Sequence, residues 1–523
     1  MNREFILNKL NSDRDKIWDV IIIGGGATGL GAAVDSASRG FQTLLIEQAD
    51  FAKGTSSRST KLVHGGVRYL AQGDVSLVFE ALHERGLLMQ NAPHLVRNQQ
   101  FIIPIYEWWE GPFYNIGMKV YDMMAGKLGF GPSQKISKEE TLSAIPNIDD
   151  TGLSGGIIYY DGQFDDSRLA INLAQTAFDN GAMVINYVKA VGFLKDKKNI
   201  LNGVQLLNTE NNETFTVRGK TIINATGVFT DKVKAMDEDV IEKSVMLSQG
   251  VHIILDKSFL QGDSAIMIPK TSDGRVLFAV PWHNKVIIGT TDTQVQTPTL
   301  EPRAKKEEID FLLKTSALYL CKDPKIKDVL SVFAGLRPLA YSDNNKETKD
   351  ISRRHKITVS LSGLITIIGG KWTTYRKMAQ DVIDKAVLVG CLEEKESVTK
   401  NLPIHGFHKN TNFEEHLYYY GTDKIRMEET VLANNPGLSE KLHPDLPYIK
   451  GEVVWAVKHE MARNVEDLLA RRTRALFLNA KASIEMAPLV AEIMAKELGM
   501  DSIWIRNQIE EYNQLADGYI LKE

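Results

Sequence analysis

Near its N-terminus the chain reads DVIIIGGGATGLGAAVDSASRGFQTLLIEQ, Asp19 to Gln48, and no other stretch constrains the fold as strongly. A short β-branched run from Asp19 ends directly in glycines and leads into a helical stretch, Gly29 to Arg39, so the spacing predicts the strand, turn and helix of a βαβ unit. Gly24, Gly26 and Gly29 fill the pattern G-x-G-x-x-G. One glycine permits the tight turn, one lets a pyrophosphate approach the backbone, and one lets helix pack on strand. The pyrophosphate then sits at a helix N-terminus. A second strand, Thr43-Leu-Leu-Ile, ends in Glu47, whose carboxylate can accept hydrogen bonds from a ribose diol and would repel a 2′-phosphate. A dinucleotide is therefore expected, and the rest of the chain must choose between NAD and FAD.

Composition narrows the setting. With 523 residues, 43% hydrophobic and 24% charged, the chain has the length and apolar content for two or three domains with substantial cores. A formal net charge of -4 excludes a global attraction to nucleic acid. Cys321 and Cys391 lie far apart without metal-ligand spacing, so neither a disulfide framework nor a metal site is expected, and a reducing cytoplasm fits. The opening MNREFILNKLNSDRDKIWD lacks the apolar core of a secretory signal. No stretch supplies the roughly twenty apolar residues of a spanning helix. The expectation is a cytoplasmic protein that is soluble or lies on the inner face of the plasma membrane.

After Glu47 comes FAKGTSSRSTKLVHGGVRYL, rich in hydroxyls and glycine, which reads as a segment running along an extended cofactor. Two further strands end in small residues, Thr221-Ile-Ile-Asn-Ala-Thr-Gly227 and Ile365-Thr-Ile-Ile-Gly-Gly-Lys371. Both suit close backbone approach to a ligand. Between them the runs VHIIL, AIMI, VLFAV and KVIIG, separated by turn-like stretches, predict an antiparallel sheet covering the cofactor. From about residue 400 the linker GFHKNTNF and then apolar residues at helical spacing predict an α-helical domain. Within it Arg471, Arg472 and Arg474 read as a solvated helix face, with acidic lipid or a partner as the other reading. The segment Trp108 to Gly131, with aromatics, methionines and two lysines, reads equally as an interfacial anchor or a buried helix.

Taken in order, GGGATGLGAA, TSSRSTKLVHGGVRYL, EALHERGLL, INATGVFTD, VPWHNKVIIGTTD, AGLRPL and GGKWTTYRKMA make the chain resemble the FAD-dependent, quinone-linked glycerol-3-phosphate dehydrogenases, within the D-amino-acid-oxidase-like flavoproteins. HEMARNVEDLLARRTRALFL resembles that family's C-terminal helical domain, so the likeness covers nearly the whole chain. It departs where Arg58 and Thr60 stand in a loop that some relatives fill with small residues. The resemblance implies an α/β fold in which a Rossmann-like FAD domain (mainly 17–75, 160–235 and 355–390) is intertwined, over 1–400, with a mostly antiparallel substrate domain (mainly 95–150 and 240–350). Residues 401–523 then form the α-helical C-terminal domain.

It also implies oxidation of sn-glycerol 3-phosphate to dihydroxyacetone phosphate by hydride transfer from C2 to FAD, with electrons passed to membrane quinone, in a peripheral membrane protein or homodimer. For FAD it points to Gly24, Gly26, Gly29, Glu47, Ser56, Ser57, Thr60, Lys61, Leu62, Gly227, Gly370 and Thr373. Arg337 and Arg353 are expected on the phosphate, because a guanidinium binds its oxygens bidentately and stays charged. Arg68 and Tyr69 are expected to face substrate, the arginine beside a developing oxyanion. Lys371 and His64 are both candidates for the base, and the sequence does not rank them. Asp292, in Gly-Thr-Thr-Asp after a strand, reads as a turn residue first and a site-lining residue second. The alternatives are an oxidase that passes electrons from glycerol phosphate or an amino acid to oxygen, and a flavin-binding sensor without turnover. An amino acid would need one carboxylate-binding arginine, not a cluster, and the insertion common in the family's oxidases is not evident.

Overall fold

The computed structural model describes residues 1–66, 74–107, 110–238, 242–269, 271, 274–341 and 354–522. Arg68, Tyr69 and Arg353 lie outside the described residues. Two sheets organise the rest. In the first, five parallel strands run in the order Leu364–Ile368, Thr214–Asn224, Ile17–Ile23, Thr43–Ile46 and Met183–Ile185. Helices cover both faces of such a sheet, which is why its strands read as unbroken apolar runs. Val20, Ile21 and Ile22 are fully buried, as are Leu44 to Ile46. The register sets Ile23 beside Asn224 and Asn224 beside Thr366. The turns that follow these three strands are therefore neighbours at one sheet edge, where ligands bind in open α/β folds.

The second sheet has ten strands. The runs read from the sequence appear as Val245–Asp256, Ala265–Ile268, Leu277–Trp282 and Lys285–Gly289, joined antiparallel. The long strand Ser331–Ala340 pairs along Val245–Asp256 and sets Arg337 opposite Ser248 and Phe333 opposite His252. On the outer face Ile253, Leu255, Ile266, Ile288 and Leu312 form an apolar core of their own. The inner face turns toward the first sheet.

The C-terminal region is helical, with Lys450–His459, Ala480–Leu498 and Ser502–Asp517 around a π-helical turn, Asp467–Arg472. The structure corrects the reading of its arginines. Arg471, Arg472 and Arg474 are buried, at 2%, 0% and 0% exposure, and are not a solvated face or a lipid contact. Arg471 and Arg472 both donate to Asp50, Arg472 from Nη1 at 2.7 Å and Nη2 at 2.9 Å, and Arg474 Nε lies 2.8 Å from Asp165. Lys53 adds a bond to Glu466 at 2.7 Å. A buried charge must be paired, and here the carboxylates come from the loop after Glu47 and from the strand end before Asp166.

These pairs give a testable pH dependence. Burial opposes ionisation of Glu466, but Arg471 and Lys53 outweigh it and bring its pKa from 4.5 down to about 2. A depressed folded-state value stabilises fully above the unfolded value and is lost as pH falls. Wild-type stability should therefore decline between about pH 4.5 and 2, with Asp50 contributing in the same direction. In Glu466→Gln this acid limb should be shallower, read by chemical denaturation at stepped pH, and an unchanged slope would contradict the pairing.

No described helix is long and apolar enough to cross a membrane. The helix Glu110–Ala125 instead has two characters. Phe113, Ile116, Val120 and Met123 are exposed at 60%, 66%, 36% and 75%, while Met118 and Tyr121 are buried. Of the segment read as anchor or buried helix, Trp108 and Trp109 lie outside the described residues.

Candidate functional site

One cavity of about 700 Å³ opens where the three strand-end turns meet the inner face of the second sheet. That is within the range of roughly 300–1,000 Å³ usual for cofactor and ligand sites. At the dinucleotide end Gly24 has φ 115°, and a Cβ there would lie 2.6 Å from the Ala225 carbonyl oxygen, so glycine alone fits. A Cβ on Gly29 would lie 1.9 Å from Gly24 O, so Gly29 seats the helix on the strand rather than touching the cavity. Gly24, Gly26, Gly227 and Gly370 line it, the last two with φ of 57° and 85°. Ser56 Oγ accepts from Ala27 N–H at 2.9 Å, and its carbonyl accepts from Trp372 Nε1 at 2.8 Å, which ties the hydroxyl-rich loop to the turn after the third strand.

Glu47 lines the cavity and accepts from Gly25 N–H at 2.7 Å and Ala49 N–H at 3.0 Å. Burial raises its pKa, and these two donors oppose the rise. Each carboxylate oxygen can accept more than one hydrogen bond, so a ribose diol remains compatible. Thr60, Leu62 and Thr373 also line the cavity. Lys61 and Ser57 do not, and the expectation for their side chains is corrected. Lys61 Nζ is fully buried, 2.7 Å from Asp166 and 2.7 Å from the Ser57 carbonyl oxygen, because an ammonium without water requires such partners. Ser57 Oγ is buried away from the cavity. Arg58, the departure noted in the loop, pairs with Glu301 at 2.5 Å and donates to Ala334 O at 3.3 Å.

The other end of the cavity carries the polar chemistry against an apolar wall of Tyr159, Met267 and Phe278. Arg337 lies across the strand Val245–Asp256, donating to Ser248 Oγ at 3.1 Å, Thr290 Oγ1 at 2.9 Å and Thr291 O at 3.2 Å. It can do so only because residue 250 is glycine, since a Cβ there would be 2.2 Å from Arg337 Nη2. Asp292 lines the same cavity and accepts from Ser248 Oγ at 2.7 Å, which is the site-lining reading that its turn left open. Lys371 and His64 line the cavity too. Enclosure and then the Lys371 charge bring His64 down to about 4, which leaves its imidazole neutral at pH 7.

The sequence reading missed His252. It lines the cavity, bonds Thr60 Oγ1 through Nε2 at 2.8 Å and stacks on Phe333 with ring centroids 4.9 Å apart. Burial, followed by Arg337 and Lys61, holds it well below the ordinary imidazole value. A Cβ at Gly289, on the adjacent strand, would be 2.2 Å from its ring. The available signal was a histidine in an apolar strand two residues after Gly250, a glycine that marks close backbone approach.

These residues fit a dinucleotide that carries a second ring system into a polar pocket. Comparison with known proteins agrees. A model described as FAD dependent oxidoreductase matches residues 19–376, and one described as the C-terminal domain of alpha-glycerophosphate oxidase matches 362–503. The mitochondrial glycerol-3-phosphate dehydrogenase of Mus musculus is 38% identical over 94% of this chain and 72% of its own length. That of Schizosaccharomyces pombe is 36% identical over 92% and 85%. The crystal structure of the glycerol-3-phosphate dehydrogenase from Bacillus halodurans complexed with FAD superposes with a TM-score of 0.76 at 27% identity, covering 99% of both chains. With its glycine-lined turns and its two-sheet architecture, the chain belongs to the FAD-dependent glycerol-3-phosphate dehydrogenase family.

Proposed function

We infer that this protein oxidises sn-glycerol 3-phosphate to dihydroxyacetone phosphate, using FAD and passing the electrons to a quinone dissolved in the membrane. The observation that carries the reading is a cavity in which a dinucleotide cradle ends beside an anchored arginine, a lysine and two neutral imidazoles. FAD, when bound, supplies the hydride acceptor. Arg337 offers a fixed cation to the phosphate dianion. A neutral imidazole, His64 or His252, can take the proton of the C2 hydroxyl, because burial keeps both unprotonated before reaction. Lys371 places positive charge beside the oxygen as it becomes a carbonyl. The apolar wall excludes water from the reacting carbon.

The test is formation of dihydroxyacetone phosphate coupled to reduction of a short-chain quinone by FAD-loaded protein. Comparable turnover with oxygen, measured as peroxide, would favour an oxidase instead. That second reading has one observation behind it, the name of the C-terminal family model. Bound FAD with neither activity would leave the sensor reading.

A bilayer surface is the partner we assign to the exposed stripe Phe113, Ile116, Val120 and Met123. The spacing of three, four and three residues places the stripe on one helical face, with Lys119 exposed for anionic headgroups. Docking there would hold the protein where quinone is dissolved. Protein should co-sediment with vesicles containing anionic lipid, and the triple variant Phe113→Ser, Ile116→Ser, Met123→Ser should bind at least about tenfold more weakly, from the apolar area withdrawn. Equal binding of wild type and variant would reject this surface.

A further inference from the structure

Behind His64 lies a buried polar cluster that the reaction described above does not use. Asp161, at 2% exposure on the strand Gly155–Phe164, reaches the cavity wall. Arg85, from the helix Val75–Asn91, donates Nη1 to Asp161 Oδ1 at 2.6 Å. Tyr121, from the inner face of the surface helix Glu110–Ala125, donates its hydroxyl to Asp161 Oδ2 at 2.7 Å. The same hydroxyl oxygen accepts from Gly65 N–H at 2.9 Å. Burial, and then the Asp161 carboxylate, hold the Tyr121 hydroxyl well above its ordinary value, so it remains a proton donor.

The contact with Gly65 is the informative one. A Cβ at that position would lie 2.4 Å from Tyr121 Oη and 2.4 Å from Leu82 Cδ2, so the backbone of the turn rests directly on the hydroxyl. Gly66 follows with φ 80°, and on the other side the His64 carbonyl accepts from Thr373 Oγ1 at 3.4 Å. Residues from two helices and a strand thus converge on three residues of backbone that carry a cavity histidine. A packing role alone would be met by phenylalanine at position 121.

We propose that Tyr121 is a positioning residue for substrate oxidation, fixing the His64–Gly66 turn through its paired bonds to Gly65 N–H and Asp161. This rests on the oxidation assigned above. Removal of the hydroxyl takes the donor from Asp161 Oδ2 and leaves the Gly65 N–H with only its long bond to Asp161 Oδ1 at 3.4 Å, and the turn gains freedom to shift His64 out of alignment. Misplacement by about 1 Å is enough to slow a reaction by about a hundredfold.

The experiment compares anaerobic single-turnover flavin reduction by glycerol 3-phosphate in wild type and Tyr121→Phe, each loaded with FAD. FAD affinity by fluorescence and melting temperature are measured on the same samples. Reduction in wild type must occur first, and its failure would reject the reaction, not the positioning role. Given wild-type reduction, the expected result is a limiting rate at least about tenfold lower in Tyr121→Phe. FAD affinity and the substrate concentration for half-maximal rate should stay within about threefold, on the ground that neither cradle nor phosphate site is touched. A limiting rate within twofold of wild type would overturn the proposal, as would a loss of rate that follows loss of FAD. Should Tyr121→Phe not fold, the charge-neutral double variant Arg85→Met, Asp161→Asn decides by the same rate and affinity measurements. It removes both members of the buried ion pair together and weakens the acceptor of the Tyr121 hydroxyl.

Discussion

An Arg337→Met variant is expected to lose about three orders of magnitude in kcat/KM for glycerol 3-phosphate, close to 4 kcal/mol of transition-state stabilisation. The size follows from the setting. Arg337 is anchored by Ser248, Thr290 and Thr291, so its guanidinium needs little reorganisation to meet a dianion. In an enclosed cavity a truncated cation leaves the anionic partner both desolvated and unpaired. Arg337→Lys should recover only part of the loss, because an ammonium cannot bind two phosphate oxygens in the planar fork. Steady-state kinetics with glycerol and glycerol 3-phosphate check the assignment. Loss should be confined to the phosphorylated substrate, and a fall below tenfold would remove Arg337 from the phosphate.

Arg472→Met should be the most destabilising single change in the C-terminal domain, by about 3–5 kcal/mol, the usual result of breaking a buried pair on one side. Asp50 would be left buried with Arg471 as its one cation and the Asn186 amide at 3.3 Å, and the Glu460 carbonyl would lose its donor at 2.7 Å. Because Asp50 follows Glu47 by three residues, the loop that lines the ribose end of the cavity should loosen with it. The variant should melt lower and release FAD faster, followed by denaturation and by flavin fluorescence after dilution. A variant with wild-type melting and retention would show that the C-terminal domain does not hold this loop.

The sequence disclosed the dinucleotide cradle because its parts are local. Strand, glycines, helix and Glu47 lie within one short span, and each has a distinct physical signature. The apolar runs of the second sheet were legible for the same reason. Arg337 and Lys371 were visible only through resemblance, since an arginine beside a proline or a lysine after glycines carries no signature of phosphate or of flavin. His252 was missed because one polar residue in an apolar run reads as a strand, and the glycine that seats its ring, Gly289, belongs to another strand. The C-terminal arginines were misread for a related reason. Their spacing suggested an exposed face, but the carboxylate that buries Arg471 and Arg472 lies 421 and 422 residues away. Local pattern finds elements; partners so distant in sequence emerge only from the packed structure.

If substrate carbon and cofactor meet in the cavity beside Arg337 and His252, anaerobic addition of glycerol 3-phosphate to FAD-loaded protein bleaches the visible absorbance of oxidised flavin in proportion to substrate added, with dihydroxyacetone phosphate formed in equal amount. Fully loaded protein whose absorbance does not change would contradict it.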